Sequence, residues 1–154
     1  MAEGRIFQIS VSSGGVPKLA VSEVEVTAAG VAGDRQRDLK HHGGPQRAVC
    51  LYALDRIQAL QKEGHPVTPG ALGENLTLEG LDWEAVVPGV VLHLGPEVAL
   101  EVMSFTEPCG TIRGCFSDGD YQRILQDRHP GWSRVYARVL AEGRVAVGQA
   151  AVLK

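Results

Sequence analysis

The chain has 154 residues, 44% of them hydrophobic and 21% charged, a length that buries one core and leaves little room for a second. Its 19 glycines and 8 prolines exclude a helix bundle, and with only 5% aromatic residues the packing falls to Val, Leu, Ile and Ala, which suit strands. A net charge of −3 argues against general nucleic-acid binding, which needs a basic surface to displace counterions. Taken in chain order, Arg5–Ser12 alternates as a strand, with Phe7, Ile9 and Val11 on one face, and the Gly14 to Pro17 turn ends it. Val21–Thr27 alternates again and is expected to pair antiparallel with that first run.

From Ala28 to Gln46 the apolar pattern stops, and a loop of that length inside a compact domain is usually a binding segment. Arg47–Tyr52 is apolar on both faces, as a central strand is, and Ala53–Glu63 follows with Leu54, Ile57 and Leu60 on one helix face, stopped by Gly64 and Pro66. The stretch from Pro69 to Leu78 opens as a turn and closes as a strand, with Glu74 and Asn75 at the junction. Val90–Leu94 and Glu97–Met103 form a hairpin through Gly95-Pro96. Ser117 and Asp120 are spaced like a capping box before a helix of two to three turns, and Arg134–Leu140 and Arg144–Leu153 read as a terminal strand pair about Glu142-Gly143. Seven or more short strands with two short helices cannot lie flat, which predicts a mainly β fold, a closed or nearly closed barrel formed by one domain over residues 1–154.

Residues 1–10 hold no apolar run of signal-peptide length, and the longest apolar stretch, Ala48–Leu54, is far below a membrane span. A cytoplasmic protein without membrane or nucleic-acid partners is therefore expected. The three cysteines, Cys50, Cys109 and Cys115, form no CxxC pair and no even-numbered framework, as befits free thiols in a reducing compartment.

Three segments concentrate chemistry. The first runs from Gly33 to Arg47 and sets Arg35, Arg37, Lys40 and Arg47 against Asp34 and Asp38, with His41 and His42 beside Gly43 and Gly44. Guanidinium groups and backbone N–H groups freed by adjacent glycines suit phosphate or another oxyanion; the alternative is a solvated charged loop. The His pair lacks HxH or HExxH spacing, so zinc ligation is not expected. The second segment, Thr106 to Arg113, places Cys109 on a turn bracketed by Pro108 and Gly110, where Arg113 favours a thiolate if the chain coils and an inward Glu107 opposes it. Cys109 is either such a reactive thiol or a small buried hydrophobe, the role expected of Cys50 in mid-strand. Cys115, six residues on, is a potential redox partner for Cys109. The third segment is Gly73-Glu74-Asn75-Leu76, whose polar side chains either bind a ligand or satisfy turn backbone groups.

In this order the segments resemble the MOSC domain, the module at the C-terminus of molybdenum cofactor sulfurases that also occurs as small stand-alone bacterial proteins. The resemblance rests on Ser13 to Lys18, the block from Gly33-Asp34 to Arg47-Ala48-Val49 with its His-Gly-Gly, Gly73 to Leu76, Pro108-Cys109, and Gly143 to Gly148. It implies a β-rich barrel of the pyruvate-kinase β-barrel-like kind in which the Pro-Cys cysteine, here Cys109, is the catalytic group, as thiolate ligand of molybdenum in the molybdopterin cofactor or as sulfur carrier. The cofactor-binding candidates are Arg35, Arg37, His41, His42, Gly43, Gly44, Arg47, Glu74, Asn75 and Arg113. Many small relatives carry Arg or another polar residue before Pro-Cys, where this chain has Glu107.

Two functions follow from the resemblance. One is a molybdenum-dependent oxidoreductase acting on an N-hydroxylated small-molecule substrate, served by an electron-donor protein. The other is a module that carries a Cys109 persulfide from a sulfur-donor protein, or holds the cofactor, without turnover. An RNA-binding barrel lacks an aromatic stacking platform and ranks behind both.

Overall fold

The computed structural model describes residues 3–12, 14, 16–34 and 44–154. The first strand, β1 (Glu3–Val11), buries Ile6 and Ile9 together, which strict alternation forbids. A bulge between Ile6 and Gln8, where β1 pairs with β6 (Leu76–Glu79), inserts one residue, keeps both isoleucines inside and turns Phe7 outward. The expected inner face of Phe7, Ile9 and Val11 is thus corrected by a local register shift.

Alongside β6 runs β5 (Val49–Ala53), buried at every position, and the pair is parallel because α1 (Leu54–Lys62) carries the chain back between them. Leu54, Ile57 and Leu60 form the buried stripe of α1, as their spacing predicts. The hairpin of β7 (Val91–Leu94) and β8 (Val98–Phe105) also forms as expected, and β8 then pairs antiparallel with β9 (Val135–Ala141). The last strand, β11 (Ala150–Leu153), pairs with both β7 and β1. Seven strands therefore close in the order β1, β11, β7, β8, β9, β5, β6. Ile9, Leu76, Leu51, Val135 and Phe105 are register partners across five of them and line one layer of the interior.

Two strand pairings differ from expectation. Within the run expected to pair with β1 only its start does so, as β2 (Leu19–Val21), whereas β3 (Glu23–Thr27) joins β4 (Gly30–Val31) and β10 (Gly143–Ala146) in a separate three-stranded sheet. Likewise β9 and β10 do not form a hairpin. Glu97 accepts the Arg144 N–H at 2.8 Å and Glu142 accepts the Ala28 N–H at 2.7 Å, steering β10 to β3, where Val145 packs opposite Val24. Alternation identified these strands but not their partners, because partner choice is made by contacts distant in sequence.

The chain from β8 to β9 is built from 3-10 turns. The expected longer helix is one turn, Tyr121–Ile124, capped by Asp120 itself, while Ser117 donates its N–H to the ring of His65 at 3.1 Å. Trp132 anchors this segment between the guanidinium groups of Arg123 and Arg56, 4.0 and 4.8 Å from its ring centre. No helix among the described residues is long and apolar enough to cross a membrane.

Candidate functional site

Cys50, Tyr136 and Ser104 are register partners, so their side chains share the sheet face opposite the interior row. The ladder continues one residue past β8, where Thr106 donates its N–H to the Arg134 carbonyl at 2.9 Å and sets its hydroxyl 3.9 Å from the Cys50 sulfur. Beyond it, Pro108 has no N–H to extend the ladder, and the chain turns into the 3-10 helix Gly110–Cys115. Buried Ile112 anchors that helix. Cys109, in extended conformation just before it, is half-buried with its sulfur 2.9 Å from the Thr111 hydroxyl.

The backbone does coil after Cys109, as the Arg113 argument requires, and the exposed Arg113 side chain sets its guanidinium 5.7 Å from the Tyr121 ring centre with one nitrogen 3.6 Å from where a Cβ on Gly110 would sit. Glu107 is exposed as well. Cys115 closes the same 3-10 helix and donates toward the Ala71 carbonyl at 3.6 Å, so the two thiols are engaged at opposite ends of the helix, and all three cysteines are free. Burial pushes the Cys50 and Cys115 thiols up from their ordinary pKa.

On β9, Tyr136 stands beside Cys50 in the ladder. Its buried phenol is held protonated chiefly by desolvation; Cys50 and Cys109 add to that effect, and Arg134 and Arg47 oppose it. The Arg47 guanidinium lies 5.9 Å from the Tyr136 ring centre. Arg47 ends the 3-10 turn Pro45–Arg47, which starts at Gly44 with a φ of 92°, a value that favours glycine. Arg47 and Gly44 are thus placed; Arg35, Arg37, His41, His42 and Gly43 lie outside the described residues.

The basic segment leaves the barrel at Asp34. Its carboxylate accepts from Lys18 Nζ at 2.6 and 2.7 Å, from the Ser12 N–H at 2.9 Å and from Asn75 Nδ2 at 2.9 Å. Asn75 in turn accepts the Cys50 N–H at 2.9 Å, so one buried amide ties the foot of the segment to β5. Glu74, also buried, accepts from the Gly70 N–H and the Thr77 hydroxyl, each at 3.0 Å. Gly70 has a φ of 88°, and a Cβ there would fall 2.8 Å from the Lys18 carbonyl and the Ser10 hydroxyl oxygen. Glu74 and Asn75 therefore direct their hydrogen-bonding groups into the frame that carries the basic segment. Arg134 belongs to the same frame, buried and donating to the Leu72 carbonyl at 2.6 Å.

Tyr136 and Arg134 carry no motif that marks them as site residues, and Lys18, though it closes the Ser13 to Lys18 motif, is not among the expected site residues. Lys18 and Arg134 reveal themselves only as cations that are buried, and Tyr136 only through its cross-strand neighbours. A cleft of about 280 Å³ bounded by Trp83, Val86, Phe105, Gln126 and Ser133 contains none of the expected site residues. Among the described residues no three His, Cys, Asp or Glu side chains gather to hold a metal.

Comparison with known proteins bears on the family and the fold. The MOSC domain model matches residues 38–152. The uncharacterized protein YflK of Bacillus subtilis is 34% identical over 139 residues, 90% of this chain and 62% of YflK. A protein of Gibberella moniliformis named Reductase is 32% identical over 127 residues, 79% of this chain and 22% of that protein. The crystal structure of YiiM from Geobacillus stearothermophilus superposes with a TM-score of 0.72 at 26% identity, covering 98% of this chain and 75% of YiiM. The chain thus spans less than two thirds of the length of these two curated relatives. With a family match over three of the segments that carry its chemistry, a closed barrel and the Pro-Cys turn at the foot of β9, the chain belongs to the MOSC domain family.

Proposed function

We propose that the chain binds the molybdenum cofactor through the Cys109 thiolate and reduces N-hydroxylated compounds. The observation that carries this reading is the setting of Cys109: its sulfur is half-exposed and serves no core packing, in the electrostatic neighbourhood of Tyr136 and Arg47. A soft sulfur donor is the ligand type molybdenum takes in this cofactor, and no cluster of His or carboxylate ligands among the described residues competes for the metal. The donor set therefore fits the group.

In this reading Arg47, Arg35, Arg37, His41 and His42 hold the cofactor phosphate through charge-assisted hydrogen bonds, with the backbone of Gly43 and Gly44 beside them. Asn75 acts from behind by donating to Asp34, and Glu74 holds the Gly70 turn whose carbonyl accepts the Lys18 N–H. Arg113 supplies positive charge at the rim. When bound at Cys109, molybdenum would supply the two-electron reduction of the substrate's N–O group. Tyr136, its phenol held protonated by burial, presents a neutral ring beneath Arg47. The name Reductase of the fungal relative supports the reaction type, although this chain covers only 22% of that protein.

A second reading makes Cys109 a sulfur carrier. It draws on the same half-exposed sulfur and on Cys109 being a free thiol. The two separate experimentally on protein from a cofactor-competent host. Reduction of hydroxylamine or an amidoxime by chemically reduced protein, lost in Cys109→Ser, supports the reductase. Labelled sulfur recovered on Cys109 from protein without reductase activity replaces it with the carrier.

A further inference from the structure

We infer that Arg134 is a working cation of the site: its buried guanidinium, in no ion pair among the described residues, lies on the sheet face of Cys50 and Tyr136 and draws an anionic ligand toward the Cys109 turn. The inference rests on the reading that a ligand binds at that turn. Register places the charge. The Arg134 carbonyl accepts the Thr106 N–H at 2.9 Å, so the pairing of β8 with β9 extends to Arg134, and residues two apart along a strand share a face. Arg134 therefore stands with Tyr136, opposite Thr106, which precedes Cys109 by three residues.

Lys18 and Arg134 are the buried Lys and Arg side chains among the described residues, and they differ in what surrounds them. Lys18 is neutralised by Asp34. Arg134, 6% exposed, spends Nη1 on the Leu72 carbonyl at 2.6 Å, and its enclosed Nε has no hydrogen-bond partner. Glu74, in the same frame, makes no ion pair with it, and burial favours the uncharged form of that carboxyl. An unbalanced buried charge is a liability for stability, and an apolar side chain of similar volume would avoid it. The charge is nonetheless felt on the face of the site: burial raises the Cys50 thiol and the Tyr136 phenol, and Arg134 is the foremost group opposing that rise at both. Arg47, 5.9 Å from the Tyr136 ring centre, adds a second positive charge there. An anion approaching this face meets a cation that no described neighbour neutralises.

The test uses the full chain made in a host unable to synthesise the cofactor. Alkylation of Cys109 by anionic iodoacetate and by neutral iodoacetamide is followed by peptide mass spectrometry at low ionic strength in wild type, Arg134→Met and Arg134→Lys. Both reagents lose iodide to the same sulfur, so the ratio of their rates cancels the thiol's own reactivity and reads the charge an incoming anion meets. Removing one charge is expected to lower the iodoacetate-to-iodoacetamide ratio roughly fivefold in Arg134→Met, an effect that salt diminishes, while Arg134→Lys stays within about twofold of wild type. Urea unfolding supplies the second readout: Arg134→Met, relieved of a lone buried charge, is expected to keep or raise the wild-type midpoint, which a purely structural arginine would not allow. An unchanged ratio in Arg134→Met, an equal fall in Arg134→Lys, or an Arg134→Met chain that unfolds earlier or fails to fold overturns the inference. Neither readout involves metal, so a chain that acquires no molybdenum in a competent host counts against the cofactor reading alone.

Discussion

Lys18 Nζ lies 2.6 Å from Asp34, with the two side chains only 7% and 5% exposed, and this buried ion pair fixes the point where the basic segment leaves the barrel. Desolvating two charges is costly, and here it is offset by the N–H of Ser12 and the amide of Asn75, which complete the carboxylate's shell. Asp34→Ala removes the carboxylate and strands the buried ammonium. The expected loss is about 3–5 kcal/mol in urea unfolding, whereas the double variant Lys18→Met with Asp34→Leu, which buries no lone charge, is expected to lose less. Additive losses would mean that the two residues are not energetically coupled.

Glu74 gives the fold a pH dependence. Burial raises its pKa above the ordinary carboxylate range, outweighing the Gly70 and Thr77 hydrogen bonds that oppose the shift. Over that interval the folded chain keeps a proton that the unfolded chain has released. Its contribution is therefore fully present below the ordinary carboxylate range and declines as pH rises toward the raised value. Glu74→Gln, which keeps a carbonyl to accept the same two bonds, is expected to flatten the decline in stability as pH rises above the ordinary carboxylate range. Chemical denaturation of both proteins across that range checks it; parallel curves would assign the pH dependence elsewhere.

What the sequence discloses and what it withholds divide on physical grounds. The stripe of Leu54, Ile57 and Leu60, the central strand around Cys50 and the β7–β8 hairpin are local patterns, and each is visible in a short window. The bulge at Phe7 and the departure of β10 to join β3 are not, since both are settled by partners far along the chain. The same holds for the site. Cys109 and the basic segment announce themselves by composition, while Tyr136 and Arg134, and the pairing of Lys18 with Asp34, emerge only from tertiary contacts. Glu74 and Asn75 stand out in sequence as polar residues at a strand junction, but only their hydrogen-bond partners reveal how they support the segment.

The two thiols Cys50 and Cys109 should answer to substitution in opposite ways. Cys50 is buried mid-strand, and a hydroxyl in its place is expected to cost about 1–3 kcal/mol. Cys109 touches Thr111 at the surface of a turn, so Cys109→Ser is expected to unfold within about 0.5 kcal/mol of wild type while losing function. Thermal and urea unfolding of the two variants side by side distinguishes them. A large loss of stability in Cys109→Ser would make that cysteine a packing residue.

Arg47 sits at the described end of the basic segment, over Tyr136. If it contacts the cofactor phosphate, Arg47→Ala removes a charge-assisted bond worth about 1.5–3 kcal/mol, and cofactor retention during gel filtration is expected to drop accordingly. Retention equal to wild type would take Arg47 out of the binding set.

The central claim, that Cys109 holds molybdenum, is tested most directly by elemental analysis of wild type and Cys109→Ser prepared identically in a cofactor-competent host. Near-stoichiometric molybdenum in the wild type and its loss from the variant is the expected result. Metal absent from both proteins, in a host that loads a known molybdoenzyme, or retained equally by both, would contradict it.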